Sequence, residues 1–502
     1  MRDKSRVAKN VFFGFGSKLL SLALGLIVPR LFIVSFGSEI NGVISTITQI
    51  YTYLALLEAG IGNSAVNALY EPLSSKNYDV VNKVLTQARR YYRKVTAIYA
   101  IAVIIFAVVF PALVNSAVSY KTILLIILFQ GIANCTTYYY VAVYDQLLMA
   151  AGKRYVTDNT VFLVHIITTI VRIALIYFGF DVLVVQGVYS LLSIARVPFT
   201  IYYCRRKYRY LDFHSESNQN YLHERKAFVI HELSCTIFSN TDVVIISTFC
   251  SFALASVYSV YNLVFSALNS MINMANDGLG FLIGENVHGD REKLIKIYDI
   301  YSLLYSVVIF ACMTVAMIMI VPFVNLYTKG VSDIDYILPF LPELFTIVAL
   351  LSGVRAVASR LITVSGHAGK TQNRSILEMV INLSASLVLV NICGLHGVLI
   401  GTVIALIYRA NDIIIYANKV ILNRNPWKEY RSILYLSATF LAFSLLSKKY
   451  MIICDSYISF VLYAFIVFMV VTSTYLVVTF IFDRNKMKTL FKICAPRFIR
   501  KR

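Results

Sequence analysis

Apolar stretches long enough to cross a bilayer recur from one end of this sequence to the other, and no soluble fold has interior enough to bury them all. A hydrocarbon core about 30 Å thick takes about 20 helical residues to cross. Stretches of that order lie at approximately 11–33, 42–65, 95–114, 121–146, 156–178, 182–204, 227–249, 253–280, 301–327, 339–363, 375–393, 396–417, 433–447 and 457–482. Inside the bilayer no water is available to the backbone, so each stretch is expected to be a helix that satisfies its own N–H and C=O groups. Composition agrees, with 58% hydrophobic and 14% charged residues, against about 45–50% and about 25% in soluble domains. The expected fold class is an all-α membrane protein of about 14 transmembrane helices.

The basic residues set the orientation. With the N-terminus in the cytoplasm, 35 of the 46 Lys and Arg residues fall in inside connections and 4 in outside ones, Lys121, Lys329, Lys448 and Lys449. The other 7 lie within spans: Lys18, Arg30, Arg172, Arg196, Arg355, Arg360 and Arg409. This asymmetry is the positive-inside pattern, and it predicts an even number of spans with both termini cytoplasmic. It also accounts for the net charge of +20 without nucleic acid, which is not an expected partner. The basic start (Arg2, Lys4, Arg6, Lys9) resembles a signal peptide, but the apolar stretch carries Lys18 and Arg30 and has no small-residue cleavage site, so a retained first helix is expected.

The longest polar stretch in the middle, 205–226, divides six spans from six more. The expected organisation is an N-terminal six-helix lobe (1–204), a cytoplasmic linker (205–226), a C-terminal six-helix lobe (227–417), and a terminal helix pair with a basic tail (418–502). No residue-level repeat links the lobes, so duplication is inferred from length and span count alone.

Polar residues within spans point to a bundle interior or a wet cavity. Asn262, Ser266, Asn269 and Asn273 follow i, i+4, i+7, i+11 and share one helix face. An interhelical hydrogen-bond seam and a cavity lining both fit that row. Ser352, Arg355, Ser359 and Thr363 share another face, as do Gly14, Lys18, Ser21 and Gly25, and His231, Cys235 and Asp242. A charge at the bilayer centre costs about 2.5–3.5 kcal/mol even on the lenient insertion scale. Arg355 and Asp242 are therefore expected either to pair with each other or to contact a ligand or ion. Glu58, followed by Gly60 and Gly62, is expected to pair with Arg30 or Lys18 or to serve as a protonatable carboxylate. Among these charges cations outnumber acids, which suits a substrate with anionic and hydroxyl groups. Arg and Lys hold phosphates and Asn bonds sugars, so a lipid-linked, diphosphate-bearing oligosaccharide has the matching chemistry.

Competing classes lack their residues. There is no Walker A sequence, no H-E-x-x-H and no G-x-S-x-G. The 8 cysteines include no C-x-x-C pair, and most lie in apolar stretches. No catalytic residue, metal or cofactor is expected, and the outside connections are too short to hold an active site. Export would draw on an ion gradient, the membrane potential or consumption of product.

Several segments, in order along nearly the whole chain, resemble bacterial polysaccharide flippases of the Wzx (O-antigen) type. They are VPRLFIVSFGSEINGV (28–43), LLEAGIGNSAVNALYEPL (56–73), QLLMAAGKRY (146–155), FSNTDVVIISTF (238–249), EMVINL (378–383) and GLHGVLIGT (394–402). That family belongs to the MOP superfamily, with the multidrug and toxin extrusion (MATE) transporters and the lipid II flippases. The resemblance implies a MATE-like two-lobe fold of fourteen helices in a bacterial cytoplasmic membrane. It implies alternating access that flips undecaprenyl-diphosphate-linked oligosaccharide units to the outer leaflet for O-antigen or capsule synthesis. Membrane lipids and a polysaccharide polymerase machinery are the implied partners. The matching positions are Arg30, Glu58, Asn240, Asp242, Glu378 and Asn382. With the charge tally, the expected substrate contacts are Lys18, Arg30 and Arg355 for the diphosphate, and Asn262, Ser266, Asn269 and Asn273 for the glycan. Glu58, Asp242 and His231 are candidates for ion coupling or pairing. A cation-coupled multidrug or small-molecule antiporter of the same superfamily is the alternative.

Overall fold

A computed structural model describes residues 2–56, 58–114, 116–215, 221–222, 226–286, 291–450 and 452–487. The side chains of 2–23, 59–61, 226–235, 274–282 and 284–286 lie outside that description. Every regular element among the described residues is helical.

The chain forms two compact units, Met1–Ser256 and Val257–Arg502. The first holds α1 (Arg2–Ala55), α2 (Ala59–Ser74), α3 (Tyr78–Leu113), α4 (Tyr120–Tyr140), α5 (Ala142–Ala150), α6 (Arg154–Tyr177), α7 (Val182–Ser193), α8 (Arg196–Lys207), α9 (Lys226–Phe249) and the start of α10 (Phe252–Asn286). The second holds the rest of α10, then α11 (Arg291–Tyr327), α12 (Leu341–Val354), α13 (Ala356–Val364), α14 (Gln372–Cys393), α15 (Leu395–Tyr416), α16 (Trp427–Lys449) and α17 (Tyr457–Phe482).

Twelve helices among the described residues are long and apolar enough to span a membrane. The first of them contains Gly37 at φ 85°, ψ 168°, a conformation open to glycine, so α1 is two helices joined at a bend. Dividing it there and adding α9 brings the spans to fourteen. The chain is a multi-pass membrane protein. The unit boundary lies one helix later than the expected linker because α9 packs on α1 and α2.

Each unit turns its apolar residues outward as well as inward, as a lipid solvent requires. On α3, Ile98, Ile101, Ile105 and Val108 are exposed. The opposite face packs Tyr92, Tyr99 and Val103 into the unit interior. Caps fix the helix starts. Asn77 accepts from Val80 N at 3.3 Å before α3, and Ser456 and Ser459 form a capping box at α17. Close approach is set by Gly42, where a Cβ would lie 1.8 Å from the Phe252 carbonyl oxygen.

The two units repeat a local pattern that the sequence does not display. α4 breaks at Val141 and resumes as the 9-residue α5, while α12 breaks at Arg355 and resumes as the 9-residue α13. Each short helix ends two residues before a glycine at positive φ, Gly152 at 66° and Gly366 at 73°.

Candidate functional site

In the second unit, the break at Arg355 points the guanidinium at Glu378 of α14, with which it forms a close ion pair. Arg409 of α15 approaches the other carboxylate oxygen of Glu378, Nε to Oε2 at 3.3 Å. Arg409 also donates to Asp412 Oδ2 at 2.7 Å and to Ser375 Oγ at 2.8 Å. Arg374 bonds the remaining Asp412 oxygen at 2.5 Å. One face of α14 carries Ser375, Glu378 and Asn382 at helical spacing, and all three are buried. Asn382 donates to Thr402 Oγ1 at 2.9 Å. Gly401 makes this α14–α15 contact possible, since a Cβ there would meet Ser386 Oγ at 2.5 Å. The cluster sets three guanidiniums against two carboxylates, so it carries a positive surplus. Buried charges are tolerated because each is paired and hydrogen-bonded.

In the first unit, Glu58 sits at the gap between α1 and α2 and accepts a hydrogen bond from Tyr92 Oη at 3.2 Å. Gln146 donates to the same Tyr92 oxygen at 3.1 Å. Next in α5, Asp145 pairs with Arg196 of α8 and accepts from Thr157 at 3.0 Å. Glu58 is expected from the sequence to pair with Arg30 or Lys18 or to serve as a protonatable carboxylate, and the structure sets the Tyr92 hydroxyl against it. Arg172 is enclosed by α6 and α7, donating to Gln186 Oε1 at 3.2 Å with its guanidinium 3.3 Å over the Tyr189 ring.

α10 carries the asparagine row. Its core side buries Tyr258, Tyr261, Phe265 and Ile272. Asn262 and Asn269 are half-buried and Ser266 and Asn273 are exposed. The row therefore lies off the most buried side of α10, at the margin of its unit's packed interior. Asn273 Oδ1 accepts from Tyr305 Oη at 3.1 Å. Tyr305 is the fifteenth residue of α11 as Tyr92 is of α3, and each hydroxyl donates to a residue earlier in its own unit, Glu58 in one and Asn273 in the other.

The remaining expected residues are placed as follows. Asp242 is buried on α9, beside Thr241, whose hydroxyl meets Tyr53 Oη at 2.6 Å. Arg30 is half-buried on α1. Lys18 lies on the α1 backbone and His231 on the α9 backbone, with both side chains outside the described residues. Arg355, expected to pair with Asp242 or to contact a ligand or ion, pairs with Glu378. Sequence reasoning passed over Arg374, Arg409, Asp412, Tyr92 and Gln146. The i, i+4 spacing of Arg374 and Glu378 was the available signal, hidden because 364–374 reads as a loop.

No family model matches the sequence, and no curated protein matches it. Solved structures do. The lipid II flippase MurJ in an inward closed conformation superposes with a TM-score of 0.65 at 14% identity, covering 95% of this chain and 100% of its own. An inward-facing multidrug resistance MATE family transporter of the MOP superfamily gives 0.61 at 15% identity over 84% of this chain and 95% of its own. The Vibrio cholerae MATE transporter VcmN gives 0.52 at 14% identity over 85% of this chain and 100% of its own. The chain is similar to these transporters in fold.

Proposed function

We propose that this protein is a flippase for undecaprenyl-diphosphate-linked oligosaccharide units, moving them from the cytoplasmic to the outer leaflet by alternating access. The observation that carries the reading is the asparagine row of α10, a line of hydrogen-bonding groups set off its most buried side at bilayer depth. Exposed amides within a span cost free energy unless water or a hydroxyl-rich ligand meets them. The surplus cation of the Arg355–Glu378–Arg409 cluster supplies the complement to phosphate.

The MurJ flippase among the structural neighbours supports a lipid-linked substrate, and the MATE transporters support the alternative equally. The part of this chain outside the MurJ comparison is 5%, about 25 residues, which is fewer than the 23 and 26 residues of α16 and α17 together. The MurJ likeness therefore takes in at least part of the terminal pair, whereas 16% of this chain falls outside the MATE comparison. In the proposed cycle the diphosphate meets Lys18, Arg30 and Arg355, and the saccharide meets Asn262, Asn269 and Asn273. Glu58 or Asp242 carries the coupling ion. The alternative, a cation-coupled multidrug antiporter, draws on the MATE likeness and on the buried Asp242.

The test is translocation of the lipid-linked unit in cells that depend on this protein. Arg355→Ala, Lys18→Ala and the triple Asn262→Ala, Asn269→Ala, Asn273→Ala are compared at matched protein levels. Loss of translocation with unchanged drug sensitivity is expected. Full translocation in all three, or a change in drug sensitivity alone, would overturn the proposal.

A further inference from the structure

A second basic feature lies beyond the apolar stretches 95–114 and 182–204 and outside the residues assigned above. The segment after α8 is not a free linker. Asn82 of α3 pins it at two points, donating to Tyr210 O at 2.8 Å and accepting from Asp212 N at 3.1 Å. Tyr78 stacks on Tyr210 with ring centroids 4.0 Å apart. Held in this way, 208–214 closes a cavity of about 330 Å³ against α3 and α8.

Arg89, Arg205 and Arg209 line that cavity. Among the described residues none of the three has a carboxylate within ion-pair distance, and the one acid in the lining, Asp212, is bonded to His214, from its backbone N–H at 2.9 Å and at Nδ1 at 3.0 Å. The Arg89 guanidinium carbon lies 4.7 Å from the Phe213 ring centroid. The Tyr208 hydroxyl, also in the lining, is buried and has no hydrogen-bond partner among the described residues. Among those residues, three guanidiniums without an ion-pair acid and one orphaned hydroxyl form a donor set that lacks an acceptor. A structure normally satisfies such groups, and phosphate oxygens satisfy arginine forks best.

The level of the cavity points to the source of the phosphate. On α8, Phe199 and Tyr202 are half or more exposed, as aromatic residues at the headgroup level are. Arg205 follows Tyr202 by three residues, about 5 Å of helical rise. The cavity sits at the lower end of the roughly 300–1,000 Å³ range of ligand pockets, enough for a headgroup and not for a whole lipid. The cytoplasmic leaflet, where the basic segments place it, carries the anionic lipids.

We infer that Arg89, Arg205, Arg209 and Tyr208 form a binding site for a phosphate-bearing headgroup of an anionic lipid in the cytoplasmic leaflet. The site uses the first unit alone and does not depend on which substrate the protein moves.

The test uses the purified full-length protein in detergent. Native mass spectrometry reads retention of phosphatidylglycerol against phosphatidylcholine, and thermal unfolding reads the response to inorganic pyrophosphate. Wild type is compared with the triple variant R89Q, R205Q, R209Q and with the distant Arg154→Gln. Loss of charge-assisted bonds should lower phosphatidylglycerol retention about tenfold or more in the triple variant only. Should the triple variant fail to fold, each single substitution should still lower retention several-fold. Arginine-dependent stabilisation by pyrophosphate without lipid retention would keep the phosphate site and assign it a soluble ligand. Equal retention and equal pyrophosphate response in wild type and variants would overturn the site.

Discussion

Arg409 of α15 holds Glu378 of α14 with Nε 3.3 Å from Oε2, and both side chains are less than a tenth exposed. Removing either partner leaves a charge in the interior with fewer means of neutralisation, at a cost of about 3–5 kcal/mol. Arg409→Gln and Glu378→Gln should each sharply reduce the unfolding midpoint in detergent. The double variant should lose less than the two singles together, because the facing charges of Arg409 and Glu378 are then removed together, while Arg355 loses its partner in either Glu378 variant. Additive losses would show that the pair is not coupled.

Gly42 and Gly25, on either side of the bend at Gly37, make a matched comparison. At Gly42 a Cβ would lie 1.8 Å from a backbone oxygen of Phe252, whereas at Gly25 nothing lies within 4 Å. Gly42→Ala must push α1 away from the start of α10, at about 1–3 kcal/mol by analogy with overpacked cores. Gly25→Ala should gain up to about 1 kcal/mol from helix propensity. Thermal unfolding of the two variants checks the opposite signs.

Asp483, just beyond α17, anchors the end of the terminal pair. It accepts from Arg431 at 2.7 Å, Ser432 at 2.8 Å and Tyr435 at 2.9 Å, with Lys486 3.6 Å away. Burial pushes its carboxyl up, but Lys486 and the three donors together outweigh burial and hold it below the ordinary carboxylate range. A depressed folded value gives stability that is present above the unfolded value of about 3.9 and lost as pH falls through the folded one. Asp483→Asn should therefore unfold at lower temperature than wild type at pH 7, and the gap should close below about pH 4. A gap that is constant from pH 7 to pH 3 would remove the charge from the account.

The asparagine row lies off the packed side of α10, so its loss should spare the fold. Asn262→Ala, Asn269→Ala and Asn273→Ala together should change the unfolding midpoint little, as surface substitutions do, within about 0.5 kcal/mol each. Translocation by the same protein should fall at least several-fold. A variant that unfolds readily would instead mark the row as part of the core.

What the sequence made legible follows from the physics of the solvent. Apolar length alone placed the spans, because a bilayer sets one length for every crossing. The asparagine row was legible because helical periodicity is regular across 262–273. The ion pairs were not, because partners meet across helices. Arg355 is matched by Glu378 of α14, an acid that no periodicity ties to it, and Arg374 belongs to the start of α14 although its neighbours read as a connection. The bend at Gly37 was also hidden, since glycine in an apolar run signals close packing as readily as a turn.

Tyr92 and Tyr305 hold the same position along α3 and α11, yet one addresses Glu58 and the other Asn273. A carboxyl group can take up and release a proton, and an amide cannot. At these two contacts the units differ in acid–base chemistry. Of the two partners, the one in the first unit is a titratable carboxyl and the one in the second a neutral amide.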